Sequence, residues 1–267
     1  MISVQDLERE ALHLILVHRL DYRPASAPAI GGVVVFSEPS YAVSRTESVQ
    51  LATPAYYREQ EGLKSGIGDV HDGTLTKDSI RWANTVVPGG TVTGSTVSFA
   101  SSREPWVYCA SHYRWDQELR RLKDHFAEEY GYTAAARISD PNAFAVWLGI
   151  DFARNLDKAT DVKLAWHDEI GYALSSHNAS LAPGSSQIHT VVHVCHGPVH
   201  YEDSSGYIAT QEDWFDLHGG PRAWFTKKLR FANQREYRFA VSTSGDPVEP
   251  SHYIRVSPEL RKLTSAL

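Results

Sequence analysis

The run from Trp106 to Phe152 constrains the fold most, because it alternates strand and helix signatures at short range. WVYCAS (106–111) is aromatic and apolar, as a buried strand is. Beyond it Trp115, Leu119, Leu122, Phe126 and Tyr130 recur at spacings of four, three, four and four, one stripe of a 3.6-residue period. The spacing predicts a helix over Trp115–Tyr130 with Leu119, Leu122 and Phe126 buried. Gly131 stands where a left-handed cap would end it. A strand is expected over Tyr132–Ile138. Asp140-Pro141 then supplies an N-cap and a first helical residue. The helix they open would bury Phe144, Trp147, Leu148 and Phe152.

Strand signatures surround this run. GVVVFS (32–37) is stopped by Glu38-Pro39-Ser40. Thr91–Ala100, Lys163–Ala173, Ile188–Tyr201 and Tyr253–Val256 are further candidates, with Gly197-Pro198 expected to break the third. Ser3–Ala11 has the spacing of a capped short helix, and Leu12–Leu20 either extends it or forms a buried strand. Helices cluster in the middle without regular βαβ alternation. That pattern predicts an α+β fold with a mixed or mostly antiparallel sheet. One domain over residues 1–267 can bury a sizeable core. Within it Glu47–Gly94 is open to three readings: a lid, an insertion or part of the core.

Charge and composition narrow the partners. A net charge of −6 argues against wholesale nucleic-acid binding, so any such contact would be a patch. No apolar run is long enough to span a bilayer, and SVQDLEREAL after the first residues lacks the layout of a signal peptide. The two cysteines, Cys109 and Cys195, make no disulfide framework, so a cytoplasmic protein with both thiols reduced and buried is expected.

Glycines in GIGDVHDGT and VPGGTVTG suit turns, and neither segment matches a phosphate-binding loop. Asp69, His71 and Asp72 have ligand chemistry but fit turn chemistry as well. His189, His193, His196 and His200 gather around Cys195 without a C-x-x-C or H-E-x-x-H motif. With Asp203 they define an alternative reading, a metal-dependent hydrolase or nuclease. Surface or core histidines explain the same residues, and no metal is assigned.

The strongest functional signal is FTKKLRFANQREYRFAV (225–241). It is expected to be a basic turn feeding a strand that begins near Phe231. On such a strand Phe231, Tyr237, Phe239 and Val241 share the core face, while Gln234, Glu236 and Arg238 share the other with small Ala232 and Ala240. Gln234 and Glu236 would then stand roughly 7 Å apart on one face. Between Arg222 and Arg238 the basic residues Arg222, Lys227, Lys228, Arg230, Arg235 and Arg238 face one acid, Glu236, in an otherwise acidic chain. Such a patch suits an anionic ligand, and the same pattern also suits a solvated ladder of ion pairs.

Two resemblances rest on these residues. The order VVFSEP, WVYCAS and FTKK…NQREYRF, over Gly31–Val256, resembles a loose group of uncharacterised bacterial domains. These share a central Cys-Ser strand and a late strand with Lys, two acids, an aromatic and Arg, and the likeness implies no activity. Gln234-Arg235-Glu236 is similar to the Q-x-E turn of mono-ADP-ribosyltransferases. That likeness implies NAD as substrate, Glu236 as catalytic residue and Gln234 as the residue orienting the acceptor. It also implies that Arg19, or His18, holds NAD from an early strand. Ser111 and Tyr108 of WVYCAS, or Ser95 and Ser98, would shape the nicotinamide pocket, and Lys227 and Arg238 would hold the pyrophosphate. This chain has Ser95-Thr96-Val97-Ser98 where the family has a Ser-Thr-Ser run. A bacterial toxin or antiphage effector, with a protein or nucleic acid as acceptor, would fit. The competing expectation is a non-catalytic binding or sensor module for an anionic ligand.

Overall fold

The computed structural model describes residues 13–21, 25–54, 56–57, 74–78, 81–82, 96–100, 105–157, 162–164, 190–202, 208–209, 224–243 and 251–267. In chain order the strands are β1 (His13–Arg19), β2 (Gly32–Ser37), β3 (Ser48–Ala52), β4 (Thr74–Asp78), β5 (Arg81–Trp82), β6 (Thr96–Ala100), β7 (Trp106–Tyr113), β8 (Ala134–Ile138), β9 (Val162–Leu164), β10 (Thr190–Pro198), β11 (His200–Glu202), β12 (Ile208–Ala209), β13 (Thr226–Lys228), β14 (Glu236–Thr243), β15 (Ser251–Arg255) and β16 (Thr264–Ala266). The helices are α1 (Asp116–Tyr130), α2 (Pro141–Asp157) and α3 (Pro258–Lys262). The fold is α+β, built on a curled mixed sheet.

The main sheet runs β16-β8-β2-β7-β14-β10-β1-β9, with β3 and β15 attached beside β7. β1 is parallel to β10 and β9, whereas β14, β7, β2 and β8 pair antiparallel. Of the apolar run Leu12–Leu20, residues His13–Arg19 are thus a strand. Ile15 and Leu16 are both buried, because β1 lies inside the sheet between β10 and β9. Buried strands show continuous apolar runs that periodicity cannot distinguish from helix. The expected Ser3–Ala11 helix, the glycine turns around Asp69–Asp72, and Ser95, His189 and Asp203 lie outside the described residues.

Tyr237, Phe239 and Val241 of β14 meet Phe144, Leu148 and Phe152 of α2 in the main core. Burying side chains of this size contributes on the order of 2 kcal/mol each before entropy is counted. α2 starts as expected: Asp140 Oδ1 accepts from the backbone N–H of Asn142 at 2.9 Å and of Ala143 at 3.1 Å. α1 covers the opposite face, where Leu119 and Leu122 pack on Val34 and Tyr113. It ends at Gly131 with φ of 71°, a conformation that costs a residue with a Cβ free energy.

Three local expectations need correction. Trp115 is half exposed, because it caps α1 from outside the helix rather than joining its apolar stripe. Phe126 is only partly buried, stacked on Phe36 at 4.5 Å between ring centroids where the sheet opens. The Ile188–Tyr201 run is broken as expected, since β10 ends at Pro198 and β11 pairs with β13 in another sheet, but the break follows Gly197-Pro198, both of which still pair with β14. Pro198 sits at the strand end, where a missing donor is tolerated.

One edge of β7 is split. Ser111–Tyr113 pair with β2 and Val107 pairs with β3. Between them Tyr108, Cys109 and Ala110 pair, among the described residues, only with β14. β2 and β3 therefore diverge from β7, and the gap between them opens beside the Gln234–Glu236 segment.

Candidate functional site

A cavity of about 550 Å³ occupies this gap, a size that suits a small-molecule ligand. Its floor carries Cys109, Ser111, Lys227, Gln234 and Glu236. Its walls carry Phe36, Tyr41, Tyr57, Tyr108, Phe126, Tyr130, Tyr132 and Tyr253. Aromatics thus make up 8 of 22 lining residues against 11% of the whole chain. Such a lining stacks well on flat rings.

The strand expected from Phe231 is shorter than the sequence suggests. Leu229–Gln234 form a 3-10 helix, Arg235 takes a left-handed conformation with φ of 45°, and only then does β14 begin. The face assignment holds from Glu236 onward and fails before it. Phe231 and Gln234 reach their positions from the turn rather than from a sheet face. Gln234 and Glu236 still converge, because Lys227 joins them. Its Nζ lies 2.8 Å from Glu236 Oε2 and 3.5 Å from Gln234 Oε1. Ser111 Oγ donates to the backbone carbonyl of Gln234 at 2.9 Å, and Gln234 Nε2 donates to Tyr130 Oη at 3.3 Å.

Glu236 is held chiefly through Oε1, while Oε2 faces the Lys227 ammonium. Arg238 Nε donates to Oε1 at 2.6 Å and Cys109 Sγ donates to the same oxygen at 3.1 Å. The backbone N–H of Glu236 donates to Tyr201 Oη at 2.7 Å. Burial by itself would raise the carboxyl pKa, but the Arg238 and Lys227 charges outweigh it and hold the group well below the usual carboxylate range. Glu236 is therefore a fixed negative charge and a poor proton acceptor near neutral pH. Cys109 moves the other way: burial, then the Glu236 carboxylate, push its thiol pKa up despite Arg238 and Lys227. Burial and the Glu236 charge likewise raise the Tyr201 hydroxyl.

The expected cofactor residues separate. Tyr108, Ser111 and Lys227 line the cavity. Arg238 does not, being fully buried and bonded through Nη1 to the Trp224 carbonyl at 2.6 Å. A guanidinium spent on Glu236 and a carbonyl anchors the carboxylate instead of meeting a phosphate. Arg19 is exposed on β1, level with His196, which pairs with Phe239. By register its side chain belongs to the α2 face, opposite Glu236. His18 is on the Glu236 face but two strands across, on the order of 16 Å away by strand geometry. Ser98 lies in β6, in a separate two-stranded sheet with β4.

The basic segment is not one open patch. Lys227 and Arg238 pair with Glu236, and Arg235 Nη1 lies 2.5 Å from Glu118 Oε1. Arg222 lies outside the described residues. Spacing alone could not show this, because Glu118 is far away in sequence.

The histidines also separate. His193 and Cys195 share one face of β10, while His196 turns to the other and bonds Tyr237 Oη through Nδ1 at 2.9 Å. Burial lowers the pKa of both His193 and His196 to about 4. Among the described residues no three His, Cys, Asp or Glu side chains form a group that could hold a metal ion. No described helix is long and apolar enough to cross a membrane. Both cysteines are free, Cys195 buried and Cys109 half-buried at the cavity. Sequence reasoning missed the aromatic lining, since its members come from several separate segments and no spacing links them. No family model, curated protein or solved structure matches the chain.

Proposed function

We propose that the chain is an NAD-consuming enzyme of mono-ADP-ribosyltransferase type, with Glu236 as its catalytic residue. The observation that carries this reading is a carboxylate in the lining of an aromatic-walled cavity, paired with two cations and sharing Lys227 with the Gln234 carboxamide. In the reaction the bond between the ribose anomeric carbon and the nicotinamide nitrogen breaks. Its electron pair leaves with nicotinamide, which becomes neutral. Positive charge develops on the ribose, and Glu236 stabilises it electrostatically. The acceptor lone pair forms the new bond and its proton passes to solvent. Gln234, tied to Lys227 and Tyr130, orients the acceptor. The cavity aromatics stack on the rings of NAD. Because Glu236 is a weak base, its part is charge stabilisation rather than proton abstraction.

The alternative of a binding or sensor module is favoured by one observation. Lys227 and Arg238 bring two positive charges against the single carboxylate of Glu236. Arg238 lies behind the lining rather than in it, so the cluster gives the cavity a net positive field from below, which suits an anionic ligand. Incubation with NAD labelled in the nicotinamide and in the adenylate separates the two readings. The enzyme releases nicotinamide and transfers label to an acceptor or to water. A sensor binds and releases NAD unchanged. Absence of both binding and turnover defeats both readings for NAD.

A further inference from the structure

We infer that Glu118, outside the cavity, is a positioning residue that sets the Glu236 carboxylate through Arg235. It deepens the reading of Glu236 above, but its geometry does not depend on NAD.

Glu118 is the third residue of α1 and is buried, with 6% of its surface exposed. One oxygen accepts the backbone N–H of Arg114 at 2.8 Å, a variant of the capping box that fixes the helix start. The other accepts Arg114 Nε at 2.7 Å and faces Arg235 Nη1 at 2.5 Å. A second guanidinium nitrogen of Arg114 also pairs with it. One buried carboxylate thus holds two arginines, and one of them lies between Gln234 and Glu236.

Arg235 needs such a hold. It has φ of 45°, and among the described residues it is the one non-glycine with positive φ. That conformation is strained for a residue with a Cβ. Its carbonyl accepts the His112 N–H at 2.7 Å, which ties the turn to β7. The left-handed residue reverses the chain between Gln234 and Glu236, so that both reach Lys227. Strain at one residue between two convergent side chains is where backbone strain has functional use. The Glu118–Arg235 pair therefore links the start of α1 to the cavity floor.

Cys109 is a built-in reporter, since its Sγ lies 3.1 Å from Glu236 Oε1. The charged groups around this thiol are Glu236, Arg238 and Lys227. If the clamp opens and Glu236 shifts, the two cations remain and the thiol becomes more acidic. The full chain is reacted with iodoacetamide across pH 6–10, and alkylation of Cys109 and Cys195 is followed separately by peptide mass spectrometry. Buried Cys195 is the internal control. In Glu118→Gln, Cys109 alkylation at pH 8 should rise by about tenfold, equivalent to one unit of thiol pKa. Glu236→Gln gives the limiting profile without the carboxylate. Arg235→Met keeps the left-handed strain but removes the guanidinium, so it tests the clamp even where Glu118→Gln fails to fold. It should also approach that limit, whereas Arg235→Gly, which takes the turn without strain, should stay nearer wild type, and Arg235→Lys should restore part of the shift. A lower melting temperature with an unchanged Cys109 profile in Arg235→Met would overturn the inference, leaving Glu118 a helix cap only. NAD turnover enters none of these measurements, so the clamp and the enzyme reading can fail separately.

Discussion

Arg238 Nε lies 2.6 Å from Glu236 Oε1, two residues earlier on the same face of β14. The pair is buried, and the remaining reach of the guanidinium ends on the Trp224 carbonyl. A buried ion pair is weak evidence of net stability, but breaking one side of it is costly.

Arg238→Met should therefore destabilise the protein by about 3–5 kcal/mol, the scale for removing one partner of a buried ion pair, with Lys227 left to balance Glu236. Adding Glu236→Gln to that background should not recover the loss, since it takes the carboxylate away from buried Lys227. Urea denaturation of the single and double variants measures both. Equal midpoints for Arg238→Met and wild type would contradict the buried pair.

Acid should weaken the fold through Glu118. Burial acts to raise its pKa, but hydrogen bonds and charge from Arg114 and Arg235 lower it to about 2 from 4.5. A carboxyl depressed on folding stabilises above its unfolded pKa, and that contribution is lost as pH falls toward the folded value. Between about pH 4.5 and 2 wild type should therefore lose stability more steeply than Glu118→Gln. Parallel curves in thermal melts across that window would contradict it.

Two phenylalanines should behave differently. Phe144 is fully buried against Tyr108 and Phe239, so Phe144→Ala should cost about 3–5 kcal/mol. Phe126 is half-buried at the cavity wall, so Phe126→Ala should cost less than half of that and weaken ligand binding instead. Chemical denaturation gives the ranking, and equal losses would place Phe126 in the core after all.

Gly197 is a steric requirement. A Cβ there would lie 1.8 Å from the Leu20 carbonyl oxygen, where β1 leaves the sheet beside β10. Backbone cannot yield as a flexible side chain can, so Gly197→Ala should sharply lower the melting temperature. A melting temperature within about 2 °C of wild type, the shift that under 1 kcal/mol produces in a chain of this size, would contradict the close approach.

Most of the regular architecture was legible where period and punctuation agree. The α1 stripe with Gly131, the Asp140-Pro141 start of α2 and GVVVFS each combine a repeat with a stop or start signal. β1 was ambiguous because a strand buried among neighbours loses its alternation. The site was half legible. Glu236, Gln234 and Lys227 are close in sequence and spacing alone groups them, but the same spacing puts Arg238 at the ligand, and the resemblance puts Arg19 there, where the structure does not. Nothing local shows that Arg238 is consumed by the Trp224 carbonyl, or that Arg19 faces α2. Glu118 and the aromatic walls were missed because tertiary contact alone brings them to the site.

The central claim is tested most directly by release of nicotinamide from labelled NAD by wild type and by Glu236→Gln, with NAD affinity measured in parallel. The substitution keeps side-chain size and removes the charge. The account predicts release by wild type, a rate loss of about 10²–10³-fold in the variant and a much smaller loss of affinity, because the carboxylate acts chiefly in the transition state. Release at equal rates by both proteins, or NAD bound by wild type and never cleaved in the presence of candidate acceptors, would contradict it.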